Sequence, residues 1–220
     1  MFLRKRWTRK TAARIATLGL AVGMTTMIRP LDAQAQQSLS LEGRGGIAVP
    51  TGDLADLLDV GPSFGAGLSY QLSPRVSLRL DGDVDILSGV DADGSGPEAP
   101  DANIYHYNLG LELKLLDSEA SPWHLAANVG AGASTLDFDD FAVLGTPVDF
   151  NETYFTANGG LKVAYNVARN VDVFVGAQAF LMFTDEADTA VFSLLRSDLD
   201  PAGFDNAWTI PITAGLRIGI

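Results

Sequence analysis

Cysteine is absent from the 220 residues, and histidine occurs only twice. The sequence therefore excludes disulfide bonds, thiol chemistry and cysteine-based zinc sites. Basic residues are also scarce beyond the first segment, because seven of the 15 Lys and Arg residues precede position 36, against one of the 27 Asp and Glu residues. The remaining residues carry eight basic and 26 acidic side chains, a net charge of −18. We do not expect so acidic a chain to bind nucleic acid.

The first segment lacks the uninterrupted run of about 20 apolar residues that a transmembrane helix needs. Its apolar part, residues 15–28, is shorter, is interrupted by threonines and follows a cluster of basic residues. Ala33, Gln34 and Ala35 then form a small-x-small cleavage site. We predict that residues 1–35 are a secretory signal peptide, in preference to a membrane anchor, and that residues 36–220 form one β-barrel domain.

The C-terminal segment, residues 207–220, alternates strictly between apolar residues and residues that are polar or small. Period-two alternation over this length predicts a two-faced β-strand. About 9–11 residues suffice to cross a bilayer as a tilted strand, so the apolar face is expected to contact lipid. The apolar series is Trp208, Ile210, Ile212, Ala214, Leu216, Ile218 and Ile220.

Seven further segments show the same alternation, so eight strands are predicted. They span residues 39–49, 64–72, 76–86, 105–115, 123–131, 155–165, 171–183 and 207–220. The predicted connections alternate between short turns, as at residues 73–74 and 166–170, and long loops, as at residues 136–153. This alternation is typical of outer-membrane barrels, as are outward aromatic residues near both strand ends. The predicted fold is an all-β, eight-stranded antiparallel up-and-down transmembrane β-barrel.

The stretch GIAVPTGDLADLLDVGPSFGAGLSYQLSPRVSLRLDGDVDIL resembles the opening of the bacterial outer-membrane β-barrel domain family. These are small barrels similar in fold to OmpX and to the transmembrane domain of OmpA. The resemblance rests on the Pro-x-Gly-Asp loop at residues 50–53, the Leu-Ser-Pro turn and the closing strand. In that strand Thr213, Gly215, Ile218 and Ile220 resemble the family's assembly signal, although the family usually ends on an aromatic residue. The resemblance implies location in the cell outer membrane, contact with its lipid and lipopolysaccharide, and insertion by the barrel assembly machinery.

Charged residues occupy the opposite face of the predicted strands, which points into the barrel. An eight-stranded barrel is just wide enough for side chains to fill it, and an unpaired charge there costs several kcal/mol. We therefore expect a contiguous layer of ion pairs near the short turns, including Arg217 with Glu42 and Arg79 with Glu112. The predicted charge layer consists of Glu42, Arg44, Arg79, Asp81, Glu112, Lys114, Lys162 and Arg217.

Two features of the sequence match chemical sites only in part. His106 is expected to face inward near Asp83 or Asp85, but no serine motif accompanies it, so we do not predict an enzyme. The acidic loop from Asp91 begins like a calcium-binding loop, yet its twelfth position is Ala102 and no helices flank it. An ordinary solvated loop is favoured. The sequence predicts no catalytic residue, metal or cofactor.

The predicted function is a structural or surface-interaction role in the cell envelope, with the barrel plugged by ion pairs. The alternative is a small porin-like channel for small polar or hydrophobic solutes, because Phe174, Phe180 and Met182 are also predicted to face the lumen. A third alternative, a soluble lipocalin-like carrier, requires an apolar interior and a polar exterior. The alternation predicts the reverse.

Overall fold

The computed structural model describes residues 39–90, 100–117, 121–143, 146–184 and 206–220. Within these ranges eight strands and one short 3-10 helix follow one another. They are β1 (Leu39–Thr51), the 3-10 helix (Gly52–Asp56), β2 (Gly61–Ser73), β3 (Val76–Leu87), β4 (Ala102–Asp117), β5 (Trp123–Val143), β6 (Thr146–Ala168), β7 (Val171–Phe183) and β8 (Asn206–Gly219). No helix in this part of the chain is long and apolar enough to span a membrane. The predicted signal peptide and the calcium-like stretch that begins at Asp91 lie outside the described residues.

Each strand pairs antiparallel with its neighbour in sequence, and β1 also pairs with β8, so the sheet closes into a barrel. Leu41 lies opposite Ile218 and Glu42 opposite Arg217 in the closing pair. In an open sheet β1 and β8 would be edge strands with unpaired backbone groups. Their pairing removes both edges. The eight-stranded antiparallel up-and-down barrel predicted from the alternation is confirmed.

The alternation places large apolar side chains on the outside of the barrel. Leu41, Phe64, Leu109, Val129 and Val175 are all exposed there. The inward positions carry small, polar or charged residues, together with a few large apolar ones, most of them at the loop end. Because successive side chains of a strand point to opposite faces, one alternating pattern determines both the outer surface and the filling of the barrel.

The two ends of the barrel differ in their connections. Residues 74–75 link β2 to β3 and residues 169–170 link β6 to β7, so this end has tight turns. At the other end the connections are longer: residues 52–60 link β1 to β2, and residues 88–101 lie between β3 and β4 in the sequence. We call these the turn end and the loop end.

The predicted long loop at residues 136–153 is wrong. β5 and β6 continue as a paired hairpin, with Leu136 opposite Glu152 and Val143 opposite Thr146, and only residues 144–145 lie between the two strands. The prediction ended both strands where their apolar alternation gives way to acidic residues. Backbone pairing needs no apolar face, so the ladder continues beyond the apolar band.

Candidate functional site in the barrel lumen

Eight charged side chains meet inside the barrel towards the turn end and form a charge network. They come from β1, β3, β4, β6 and β8, on which alternate residues point inward. Four carboxylates face four cations, so the formal charges balance. Every side chain is at most 11% exposed, and the ions are therefore largely withdrawn from water. The members are Glu42, Arg44, Arg79, Asp81, Asp83, Glu112, Lys162 and Arg217.

Glu112 is the most deeply buried carboxylate of the network. It forms salt bridges with Arg79 at 2.5 Å, Lys162 at 2.8 Å and Arg217 at 2.7 Å. Lys162 also lies 4.8 Å from the centroid of the Phe174 ring, which favours a cation. Three cations from three strands thus converge on one carboxylate. Its removal would leave them with a single shared counter-ion at Glu42.

Arg44 extends from β1 past β2 to β3. Its Nε and Nη2 donate to the two oxygens of Asp83 at 2.8 and 2.7 Å, a bidentate arrangement that is among the stronger ionic hydrogen bonds. Its Nη1 donates to Asp81 at 2.9 Å and to Glu42 at 3.0 Å. Glu42 also accepts from Lys162. It therefore joins the ions around Arg44 to those around Glu112 in one network.

Two glycines on β2 leave room for this crossing. A Cβ atom at Gly65 would overlap the Asp83 carboxylate and lie 2.9 Å from Nε of Arg44. A Cβ atom at Gly67 would lie 2.5 Å from Oδ1 of Asp81. The absence of side chains at these two inward positions is therefore a requirement of the network.

Gly65→Ala is expected to destabilise the barrel by about 1–3 kcal/mol, the usual cost of forcing extra atoms into a packed interior. Gly82→Ala is the matched control, because nothing lies within 4 Å of a Cβ added there. We expect the control to change the free energy of unfolding by less than about 0.5 kcal/mol. Urea titrations of barrels refolded in detergent measure both variants. Equal stability of the two would contradict the requirement for glycine at position 65.

Seven of the eight residues of the predicted charge layer lie in the network. Lys114, the eighth, lies nearer the turns, in the wall of a pocket at the turn end that Arg217 also lines. Asp83 was not in the predicted layer, although the alternation placed it inward. Asp83 pairs with Arg44, whose side chain passes over Gly65 of β2 to reach β3. A comparison of adjacent strands could not predict this pair, because β2 lies between the two residues.

Four amide side chains form an amide layer on the loop side of the charge network: Asn108, Asn128, Asn158 and Gln178. Asn158 Nδ2 donates to Asn108 Oδ1 at 2.8 Å, Gln178 Nε2 to Asn158 Oδ1 at 3.0 Å, and Asn128 Nδ2 to Gln178 Oε1 at 3.1 Å. A cavity of about 30 Å³ is lined by residues of both layers. At about 10–15 Å³ per water this cavity holds roughly two water molecules. It offers no space for a larger solute.

His106 lies beyond the amide layer, between a carboxylate and a serine. Its Nε2 is 3.2 Å from Asp85 Oδ2, its Nδ1 is 2.6 Å from Ser134 Oγ, and its ring stacks on Phe180 at 4.0 Å between centroids. The expected carboxylate neighbour is therefore present. The serine was not expected, since it belongs to β5, where it lies directly opposite His106. Only the strand register reveals this neighbour.

A serine, a histidine and a carboxylate that are joined by hydrogen bonds can make the serine a nucleophile, because the histidine accepts the hydroxyl proton as the oxygen attacks. Here Ser134, His106 and Asp85 are all fully buried. The hydroxyl of Thr156 also donates to Ser134 Oγ at 2.6 Å. Among the described residues Ser134 is completely buried, and its hydroxyl is satisfied within the lumen by hydrogen bonds with His106 and Thr156.

An apolar cap fills the barrel at the loop end. Leu54, Leu57 and Leu58, from the first loop and its 3-10 helix, turn inward and are 0–1% exposed. Two backbone hydrogen bonds tie this loop to the next one: Asp59 N to Ser88 O at 2.7 Å and Val90 N to Leu57 O at 3.0 Å. The cap comprises Ala48, Leu54, Leu57, Leu58, Leu87, Ala102, Ile104, Leu136, Phe138, Tyr154, Met182 and Ala207. Sequence analysis missed it, although leucines at positions 54, 57 and 58 have the spacing of one helical face.

A closed eight-stranded barrel with an apolar exterior and a filled polar lumen has the fold of the small outer-membrane barrels. No family model and no curated protein matches the sequence. Solved structures are similar to it. Neisserial surface protein A (NspA) is 15% identical with a TM-score of 0.59, over 83% of this chain and 97% of that protein. The outer membrane protein OprG from Pseudomonas aeruginosa is 11% identical with a TM-score of 0.53, over 86% of this chain and 100% of that protein. The resemblance noted from the sequence is confirmed at the level of the fold.

Proposed function

We propose that the chain spans a bacterial outer membrane as a closed, non-conducting barrel with a structural or surface-interaction role in the cell envelope. The observation that carries the proposal is the contrast between the two faces of the same strands. The outer face exposes large apolar side chains, whereas the lumen buries a balanced set of ions. A barrel in water would place polar side chains outside and apolar side chains inside. A barrel in lipid requires the apolar outer face seen here.

The height of the apolar band agrees with a membrane. Aromatic pairs lie at both of its ends: Trp123 against Tyr165 at the turn end, and Phe155 against Phe183 at the loop end. Phe155 and Tyr165 are ten residues apart on β6. At about 3.3 Å per residue and a strand tilt of about 40°, this separation is about 25 Å along the membrane normal. That is the usual height of the apolar band of an outer-membrane barrel.

The two barrel ends support an orientation. In outer-membrane barrels the short turns face the periplasm and the long loops face outward. The loops and the extension of β5 and β6 would then face the exterior, where a surface-interaction role requires them. We further propose that the apolar band contacts outer-membrane lipid and lipopolysaccharide, and that the barrel assembly machinery inserts the chain after export.

The channel alternative requires a continuous aqueous path through the lumen. The charge network, the amide layer and the apolar cap fill successive levels of it, and the cavity between the first two accommodates only water. For the same reason we propose no catalytic role for Ser134 and His106. These features support a non-conducting barrel with a structural or surface-interaction role over a channel.

We expect the protein to fractionate with the outer membranes of the cells that express it. Once purified, it should migrate differently on gels before and after boiling, and it should give no stepwise currents in planar bilayers. The shift on boiling reflects the stability of the closed barrel in detergent. The absence of current follows from the filled lumen.

Two results would contradict the proposal separately. Recovery of a monodisperse protein without detergent would exclude the membrane-spanning barrel. Reproducible single-channel currents from a heat-modifiable barrel would leave the membrane location intact and support the channel instead.

A further inference from the structure

A pocket of about 100 Å³ opens at the turn end of the lumen, next to the charge network. Inward residues near the ends of β1, β2, β3, β4 and β8 form most of its wall. At about 10–15 Å³ per water, the pocket has room for several water molecules or one small polyatomic ion. Side chains in the wall include Ser40, Ser69, Gln71, Ser77, Lys114 and Arg217.

The wall combines two cations with hydroxyl and amide groups, and none of the described residues that line it is Asp or Glu. This composition contrasts with the chain as a whole, whose net charge over 220 residues is −12. Glu42 and Glu112, the carboxylates that pair with Arg217, are not among the lining residues, so the side chains that face the pocket offer mainly N–H and O–H donors. Its ligand is therefore expected to be an anion with several oxygen acceptors.

Arg217 is held in place from the network side. Its Nε donates to Glu42, and its Nη2 donates to Glu42 at 3.1 Å and to Glu112 at 2.7 Å. Because these bonds fix the plane of the guanidinium, ordering it on a ligand costs little further conformational entropy. Elsewhere in the wall, the Ser40 and Ser69 hydroxyls lie 2.6 Å apart and orient each other. Two parts of the wall are thus preorganised.

We propose that this turn-side pocket binds a small oxyanion, a phosphate or carboxylate group. The group could belong to a free solute or to an anionic lipid headgroup that bends in from the rim. The proposal goes beyond the proposed function. Binding by the pocket does not depend on the membrane location or orientation proposed above.

The first test titrates inorganic phosphate into the folded barrel in a neutral maltoside detergent and follows binding by phosphorus NMR. We expect saturable binding that weakens about tenfold or more in Lys114→Gln, because a charge-assisted hydrogen bond is lost. Ser69→Ala is expected to weaken binding by a smaller factor. Arg75→Gln is the matched control, since Arg75 is an exposed arginine in a turn at the same end. Its affinity should stay within about twofold of the original.

The second test measures retention of phosphatidylglycerol by native mass spectrometry on the same four proteins. Saturable phosphate binding alone identifies a free solute as the source, and saturable lipid binding alone identifies the headgroup. Either result supports the pocket if Lys114→Gln and Ser69→Ala weaken it and Arg75→Gln does not. No saturable binding of either ligand, or equal binding by all four proteins, would overturn the proposal.

Discussion

Glu112→Ala is expected to lower the free energy of unfolding of the barrel by about 3–5 kcal/mol, as for other buried ion pairs that lose one partner. The substitution removes the carboxylate on which Arg79, Lys162 and Arg217 converge. It also leaves the network with one excess positive charge in a site that contains little water. Urea titrations of the refolded barrel measure the loss.

Glu152→Ala is the matched control, since Glu152 is an exposed glutamate on β6. Its expected cost is below about 1 kcal/mol, as for charges that water already screens. A double-mutant cycle with Arg79→Ala isolates the coupling between the two partners, which should reach about 1–3 kcal/mol. If Glu112→Ala fails to refold, Glu112→Gln preserves the side-chain shape and still removes the charge. A coupling near zero would show that the lumen is wet and that the charges are independent.

The strand alternation was sufficient to predict the fold and most of the charge network. A period of two determines which residues face inward, and the low dielectric of a filled barrel then requires the ions to pair. Arg217 with Glu42 and Arg79 with Glu112 could be anticipated because they are carried by adjacent strands. Contacts that skip a strand could not. Examples are Lys162 with Glu42 and Arg217 with Glu112, which depend on the diameter of the closed barrel.

Strand ends were harder to predict than strand faces. The alternation of apolar residues reports the extent of the apolar outer band, whereas the hydrogen-bond ladder continues wherever two backbones remain adjacent. For β5 and β6 these limits differ, and Phe138 still pairs with Phe150 beyond the band. The apolar cap was not predicted for a different reason. Leu54, Leu57 and Leu58 belong to a loop, and a loop between strands is expected to be exposed rather than folded into the barrel.

Leu57→Ala is expected to destabilise the barrel by about 2–5 kcal/mol, the usual cost of truncating a fully buried leucine. Leu57 is 0% exposed, packs in the apolar cap, and its carbonyl accepts the hydrogen bond from Val90 that joins two loops. The truncation leaves a void that these tethered loops cannot readily close. Urea titration in detergent gives the change in free energy.

Val60→Ala in the same loop is the control, because Val60 is 48% exposed and should contribute less than about 0.5 kcal/mol. Despite its lower stability, folded Leu57→Ala should remain non-conducting in planar bilayers, since the charge network and the amide layer still fill the lumen beneath the cap. Equal costs for the two truncations would mean that the cap contributes little to stability. Currents that appear only in Leu57→Ala would instead show that the cap alone blocks ions. The charge network would then be hydrated and open to ion flow.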